Sequence, residues 1–218
     1  MRPITFTTTA LASADPNGIC LSQALADAGN LVIAGVFASG GVATLTSSSA
    51  KPRYGLLVTI TSGGDDTGLT FTITGTRPGG SAQTEAVTGA SGAAATSTLA
   101  FETVTQVAVS GAVATVVEVG TAQSGYTDWI PLDIYTPNQA TAISATVSGA
   151  ITYSVQYTNE DPFDRSIAQL AQPHPDGAVL GATASQTVQS VAVMRAVRFV
   201  QTAGSGTLLA TITQQSTA

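Results

Sequence analysis

The chain has 218 residues, of which 7 are Lys or Arg and 13 are Asp or Glu, giving 9% charged residues and a net charge of -6. A typical soluble domain carries about 25% charged residues, and a chain that is 44% hydrophobic with so small a net charge is not expected to be disordered. With one lysine, Lys51, and six scattered arginines, the chain lacks the basic cluster that a nucleic-acid binder or an anionic-lipid binder needs. We therefore expect neither nucleic acid nor membrane as a partner.

The sequence predicts neither a signal peptide nor a membrane-spanning helix. The first seven residues, Met1–Thr7, contain no apolar segment of the kind that a signal peptide requires. No apolar run approaches the roughly 18 residues of a membrane-spanning helix. The single cysteine, Cys20, cannot form an internal disulfide. We expect a protein made in a cytoplasm and not exported by the ordinary route.

Along the chain, apolar and hydroxyl residues alternate with a period of two, which predicts β-strands. Leu69, Phe71 and Ile73 alternate with threonines, and the segment 151–158 alternates in the same way. The predicted strands, in chain order, are 31–36, 42–46, 54–61, 69–73, 84–88, 103–109, 115–119, 141–147, 151–158, 188–193, 196–202 and 207–213.

Turn-forming residues separate these segments, and one short helix interrupts them. Ser62–Gly68 and Arg77–Gly80 each lie between two strands, while Ser148–Ala150 and Ala203–Gly206 are predicted to be tight hairpin turns. The helix is predicted over Ser22–Ala28, with Ser22 as its N-cap and Gly29 as its stop.

Many short strands joined by glycine-rich turns predict an all-β fold of two antiparallel β-sandwich, jelly-roll-like domains. We expect a boundary in the segment Gly120–Gly125, because Trp129 and four of the five tyrosines follow it. The predicted domains are residues 1–122 and residues 123–218. Within the second, Asn159–Gly177 carries three prolines and is expected to be a long loop of the kind that often contacts a partner.

The sequence offers little catalytic chemistry, and we assign no catalytic, cofactor-binding or metal-ligating residue. A Ser-His-Asp triad would have to use His174, the single histidine, which lies between Pro173 and Pro175 and is expected to be a turn residue. One histidine and one cysteine are too few for a zinc site. The chain is therefore expected not to be an enzyme.

Two groups of carboxylates stay open as calcium sites or as solvated loop tips. Asp65 and Asp66 lie in a glycine-rich turn, and Glu160, Asp161 and Asp164 lie within the segment Asn159–Asp164. Calcium takes oxygen ligands from such loops, but neither spacing matches an EF-hand loop.

The aromatic residues have two interpretations. Tyr153 and Tyr157 form a stripe on one strand that favours a core or a subunit interface. Together with Trp129 and Tyr135, they would be the stacking residues if the chain were a carbohydrate-binding module or adhesin domain.

Several segments resemble accessory virion proteins of tailed double-stranded DNA bacteriophages. The resemblance covers most of the chain from about residue 30 onward. The segments that carry it are Gly64–Thr76, Glu85–Gly89, Phe101–Ser110, Asp128–Asp133, Tyr153–Pro162, Arg195–Gln201 and Gly204–Thr207. It implies a structural role in a phage particle without placing the chain on the head or on the tail.

From this resemblance together with the two-sandwich pattern, the missing catalytic chemistry and the missing export signal, we expect a capsid-decorating or cement protein, which binds the head as a homo-oligomer, with a trimer favoured. Its expected partners are the major capsid protein or other virion proteins, and its expected location is the virion, assembled in the host bacterial cytoplasm. A tail, collar or fibre-base protein of the same particle is the alternative, and the carbohydrate-binding module is the second alternative. Strand edges poor in charge favour self-association, because charged residues are what usually blocks pairing between edges.

Overall fold

A computed structural model describes residues 4–7, 14–46, 53–133, 139–164 and 169–216. The fold is all-β with antiparallel sheets, which confirms the fold class that the alternation predicted. The described residues form one short 3-10 helix, Gly177–Val179, and these strands: β1 (Ile4–Thr7), β2 (Asp15–Gln23), β3 (Gly29–Asn30), β4 (Ala38–Ser39), β5 (Val42–Thr44), β6 (Tyr54–Ser62), β7 (Thr70–Thr76), β8 (Ala82–Thr88), β9 (Ala94–Phe101), β10 (Thr103–Val109), β11 (Val117–Thr127), β12 (Ile130–Pro131), β13 (Gln139–Ser148), β14 (Ile151–Thr158), β15 (Gln172–Pro173), β16 (Gln186–Ser190), β17 (Ala196–Gly204) and β18 (Thr207–Ser216).

The chain divides into two compact units. The N-terminal unit contains the described residues 14–46 and 53–125, and the C-terminal unit contains 4–7 and 126–216. Strand β1 pairs with β18, so it lies in the C-terminal unit, whereas the sequence-based division put it in the first domain.

The C-terminal unit is a sandwich of two sheets. One sheet has the order β1-β18-β13-β16, and the other contains β15, β14 and β17, with β12 paired to β17. Apolar side chains of both sheets share one core, to which β14 contributes Tyr153 and β17 contributes Phe199.

Strand register explains why the sheet β1-β18-β13-β16 has one apolar and one hydroxyl face. Ile4, Ile212, Ile143 and Val188 lie side by side across the four strands and pack on the core. The neighbouring row across the sheet, shifted by one residue along each strand, consists of Thr5, Thr211, Ser144 and Thr187. Successive side chains on a strand point to opposite faces, so the threonine-rich alternation in the sequence is the outer face of this sheet.

The two glycine turns of this unit are not hairpins, which corrects the sequence-based prediction. The turn Ser148–Ala150 joins β13 to β14, and Ala203–Gly206 includes the end of β17 and leads into β18, so each connection passes from one sheet to the other. The two connections lie against each other, because the amide of Gly206 donates to the carbonyl of Ala150 at 2.7 Å. Positive φ angles at Gly149 and Gly204 are what permit these sharp corners.

The N-terminal unit has strands in the order β4-β5-β10-β7-β8, with β3 also paired to β10, and strands in the order β11-β6-β9, with β2 paired to β11. Phe71 and Ile73 on β7 are fully buried, as are Val58 and Ile60 on β6. The turn Arg77–Gly80 separates two strands, as predicted, and the structure shows that it joins β7 and β8 as a hairpin.

Two predicted elements near the start of the chain are wrong. The helix expected over Ser22–Ala28 is absent, because Ser22 and Gln23 end strand β2 and the following residues bend. Seven residues gain too few internal hydrogen bonds to offset helix nucleation. The strand expected at 31–36 is an irregular segment, held to β2 where the amides of Ala34 and Gly35 both donate to the carbonyl of Ile19.

The glycine-rich segment expected to hold the domain boundary is part of a strand. Gly120–Gly125 lies inside β11, and the two units divide after Gly125. A Cβ at Gly120 would lie 1.8 Å from the carbonyl oxygen of Asp15, and one at Gly125 would lie 1.9 Å from that of Gly55. These glycines allow main chains to approach closely, which composition alone does not distinguish from a flexible turn.

Candidate functional site

The single histidine is buried in a turn. His174 is 2% exposed, and its Nδ1 accepts a hydrogen bond from the amide of Asp176 at 3.1 Å. Its Nε2 is buried without a hydrogen-bond partner among the described residues. Burial lowers the pKa of His174 below its ordinary value. His174 thus lies directly after β15, with its imidazole closed off from solvent.

Asp65 and Asp66 are adjacent in the chain but lie in different environments. Asp65 is exposed, and hydrogen bonds from the hydroxyl and amide of Thr67, at 2.7 and 3.2 Å, lower its pKa. Asp66 is 1% exposed, and its Oδ1 accepts from the amide of Ala114 at 2.8 Å. The two carboxylates thus bond to different parts of the protein, and the Oδ2 of Asp66 is buried without a hydrogen-bond partner among the described residues.

In the segment Asn159–Asp164, which we call the acidic loop, the carboxylates of Glu160 and Asp161 bond to other groups of the protein. Asp161 forms an ion pair with Arg195 at 3.0 Å, and its Oδ1 also accepts from the amide of Phe163 at 2.9 Å. Glu160 accepts from the amide of Leu170. These contacts order the loop and tie it to the segment that precedes β17. Among the residues that the structure describes, no three His, Cys, Asp or Glu side chains are grouped for a metal ion.

The aromatic residues proposed as a sugar platform are mostly covered. Tyr153 is fully buried and donates to the carbonyl of Ala184 at 3.2 Å, and Trp129 is 8% exposed. The guanidinium carbon of Arg198 lies 4.7 Å from the centre of the Trp129 ring and 4.1 Å from that of Tyr126. Neither buried ring has a face free for stacking on a sugar. Tyr135 lies outside the described residues.

Charge is unevenly distributed over the strands. The sheet β1-β18-β13-β16 contains no charged residue in any of its four strands, so all 20 charges lie elsewhere in the chain. Its outer face is lined by hydroxyls, and pairs of them lie within hydrogen-bond distance, 3.3 Å for Thr5 with Thr211 and for Ser144 with Thr187. This sheet is the candidate contact surface, and we call it the neutral sheet.

The edge strand β9 of the N-terminal unit, in contrast, is bonded by polar side chains of β8. Glu85 on β8 accepts hydrogen bonds from the amides of Thr98 and Leu99 on β9, at 2.7 and 3.0 Å. Gln83 donates to the carbonyl of Ala100 at 3.0 Å. These side chains satisfy main-chain groups of β9 that would otherwise be free to pair with another chain. Alternation could not reveal this role, because the partner strand is identified only by the fold.

Exposed apolar side chains follow the edge strand of the neutral sheet. Val191 is 84% exposed and Val193 is 81% exposed, directly after β16. The alternation predicts a strand through 188–193, but the strand ends at Ser190. The hydroxyl of Ser190, the last residue of β16, accepts from the amide of Ala192 at 3.1 Å.

No helix within the described part of the chain is long and apolar enough to span a membrane. No protein-family model, curated protein or solved structure matches this chain.

Proposed function

We propose that the chain is a non-enzymatic structural subunit of a tailed double-stranded DNA phage virion, which decorates the head as a homo-oligomer and stabilises it. The observation that carries the proposal is the neutral sheet, whose four strands and outer hydroxyl face carry no charge. Such a face can be buried against a neighbour without the cost of desolvating a charge, so it suits a subunit packed in an assembly. The segments that resemble phage accessory proteins support the same proposal.

The neutral sheet provides a contact that does not require charge pairing. Thr146 and Thr213 are exposed on its outer face, and Leu209 beside Thr146 is 41% exposed. A capsid surface that buries these hydroxyls and methyl groups would gain apolar burial and hydrogen bonds without desolvating a charge. We place the head-binding surface here.

The test adds purified protein to heads that lack it, produced from a phage genome in which the gene is deleted. Binding is measured by co-sedimentation, and stabilisation by the temperature at which packaged DNA becomes accessible to a dye. We expect saturation on the order of hundreds of copies per head, as repetitive decoration of an icosahedral shell requires. A copy number of about a dozen or fewer would reassign the chain to the tail or collar.

A matched pair of variants locates the surface. Thr146→Lys with Thr213→Lys places two charges on the neutral sheet and is expected to weaken head binding by at least about tenfold, because burying an unpaired charge is costly. Thr84→Lys with Ala86→Lys places the same charges on exposed positions of β8 and should bind like the unmodified chain. Equal binding of both variants would exclude the neutral sheet as the head-binding surface.

A further inference from the structure

Strand β16 is an edge strand of the neutral sheet, and the 3-10 helix Gly177–Val179 lies next to it. The strand pairs with β13 over five residues, Gln186–Ser190, and ends the strand order of the neutral sheet. Within the described part of the chain, no main-chain hydrogen bond reaches β16 from its other side. Its sequence, Gln-Thr-Val-Gln-Ser, contains neither a charge nor a proline, the residues that usually block an exposed edge. Among the described residues, no carboxylate bonds to β16 as Glu85 bonds to β9.

We infer that two copies of this chain associate by antiparallel pairing of their β16 edges around a two-fold axis. This inference deepens the proposed function, because it identifies the surface of self-association. The contact would join two four-stranded neutral sheets into one continuous sheet.

In this arrangement, outer-face residues of one β16 lie opposite outer-face residues of the other, and core-face residues lie opposite core-face residues. With the axis at Val188, Thr187 of one copy lies opposite Gln189 of the other, and Gln186 lies opposite Ser190. Directly opposed residues share a face of the sheet. Exposed Thr187 and Gln189 therefore meet on the outer face, while Val188, which is 4% exposed, stays on the core face.

The absence of charge allows a second copy to occupy this edge. The chain has a net charge of -6, so two copies repel each other over most approaches. The neutral sheet removes this repulsion where the edges meet, since none of its strands carries a charge. Val191 and Val193, both more than four-fifths exposed, lie directly beyond the pairing residues and add apolar surface to the contact.

The experiment measures the mass of the full chain by sedimentation velocity over a range of concentrations. The unmodified protein is expected to be a dimer or a larger even oligomer. Thr187→Lys with Gln189→Lys sets like charges directly opposite each other and should weaken association by at least about tenfold. An equimolar mixture with the Thr187→Glu, Gln189→Glu variant should restore the complex, because each Lys then faces a Glu.

The control is Thr84→Lys with Ala86→Lys, which has the same spacing on β8 and should associate normally. A monomer at all concentrations, a mass unchanged by the β16 lysines, or a mixture that fails to recover would each overturn the β16 contact. Failure of this contact is distinguishable from failure of the proposed function, because a trimer unaffected by the lysines that still saturates heads would leave the decoration role standing.

Discussion

The environments of individual side chains in this protein depend on burial in the fold, which no sequence motif indicates. The sequence located His174 in a proline-flanked turn, but only the fold shows that the imidazole is enclosed, with its pKa lowered by loss of solvent. Arg198 is a second example, since nothing in its sequence neighbourhood indicates that it lies over the rings of Tyr126 and Trp129. Burial lowers the pKa of Arg198 as well.

The enclosed histidine makes stability depend on pH. Because the folded pKa lies below the ordinary value of 6.5, the unfolded chain binds a proton that the folded chain does not bind as the pH falls through this value. The free energy of unfolding is therefore expected to fall between about pH 7.5 and about pH 5.5, above the range where most carboxylates titrate. Urea unfolding followed by the fluorescence of Trp129 measures it.

The control for this prediction is His174→Asn, whose side-chain oxygen can still accept from the amide of Asp176. This variant should lose most of the slope, because His174 is the single histidine of the chain. Parallel pH profiles for the two proteins would contradict the assignment.

The edge strands of this protein differ in how far their main-chain groups are protected from pairing with another chain. Strand β9 is not predicted from the sequence, because its segment Ala94–Phe101 lacks a clean alternation. Glu85 and Gln83 of β8 bond to its main chain and so seal its edge. The edge β16 carries no such seal among the described residues. Alternation predicted most of the other strands, but it could not separate a sealed edge from an open one, since the sealing side chains come from a different strand.

Glu85→Ala should destabilise the N-terminal unit. Two amides of β9 and the hydroxyl of Thr98 lose a charged acceptor, and water replaces it only in part. We expect the free energy of unfolding to fall by about 1–2 kcal/mol, measured by urea denaturation, with faster hydrogen exchange at Thr98 and Leu99. Thr84→Ala, one residue away and exposed, is the control and should change stability by less than about 0.5 kcal/mol. A Glu85→Ala variant as stable as this control would show that the seal contributes nothing.

At the scale of the whole molecule, the first described strand of the chain completes the unit that begins at Tyr126. Strand β1 pairs with β18 and places Ile4 against the C-terminal core. The domain division read from composition at residues 122 and 123 had no means of placing this strand, because composition carries no information about pairing between distant segments.

Deleting residues 1–7 should therefore destabilise the C-terminal unit. The neutral sheet loses an edge strand and the partly buried side chain of Ile4, a loss of about 1–2 kcal/mol. Trp129 is the single tryptophan and lies in this unit, so its fluorescence reports the transition. Replacing residues 5 and 7 together, Thr5→Ser with Thr7→Ser, keeps the strand and should leave the midpoint nearly unchanged. An unfolding midpoint unaffected by the deletion would show that β1 does not support the unit.

The sequence by itself determined the fold class, most of the strands and the scarcity of charge. These features are local, since a period of two and a side chain's polarity are read from neighbouring residues. Only the tertiary structure decided which strands share a sheet, and so which surface is uncharged and which edge is open. Thr5 and Thr211 are 206 residues apart in the chain and adjacent in the neutral sheet. Long-range pairing of this kind is selected by the shared burial of the two sheet faces, which no local pattern records.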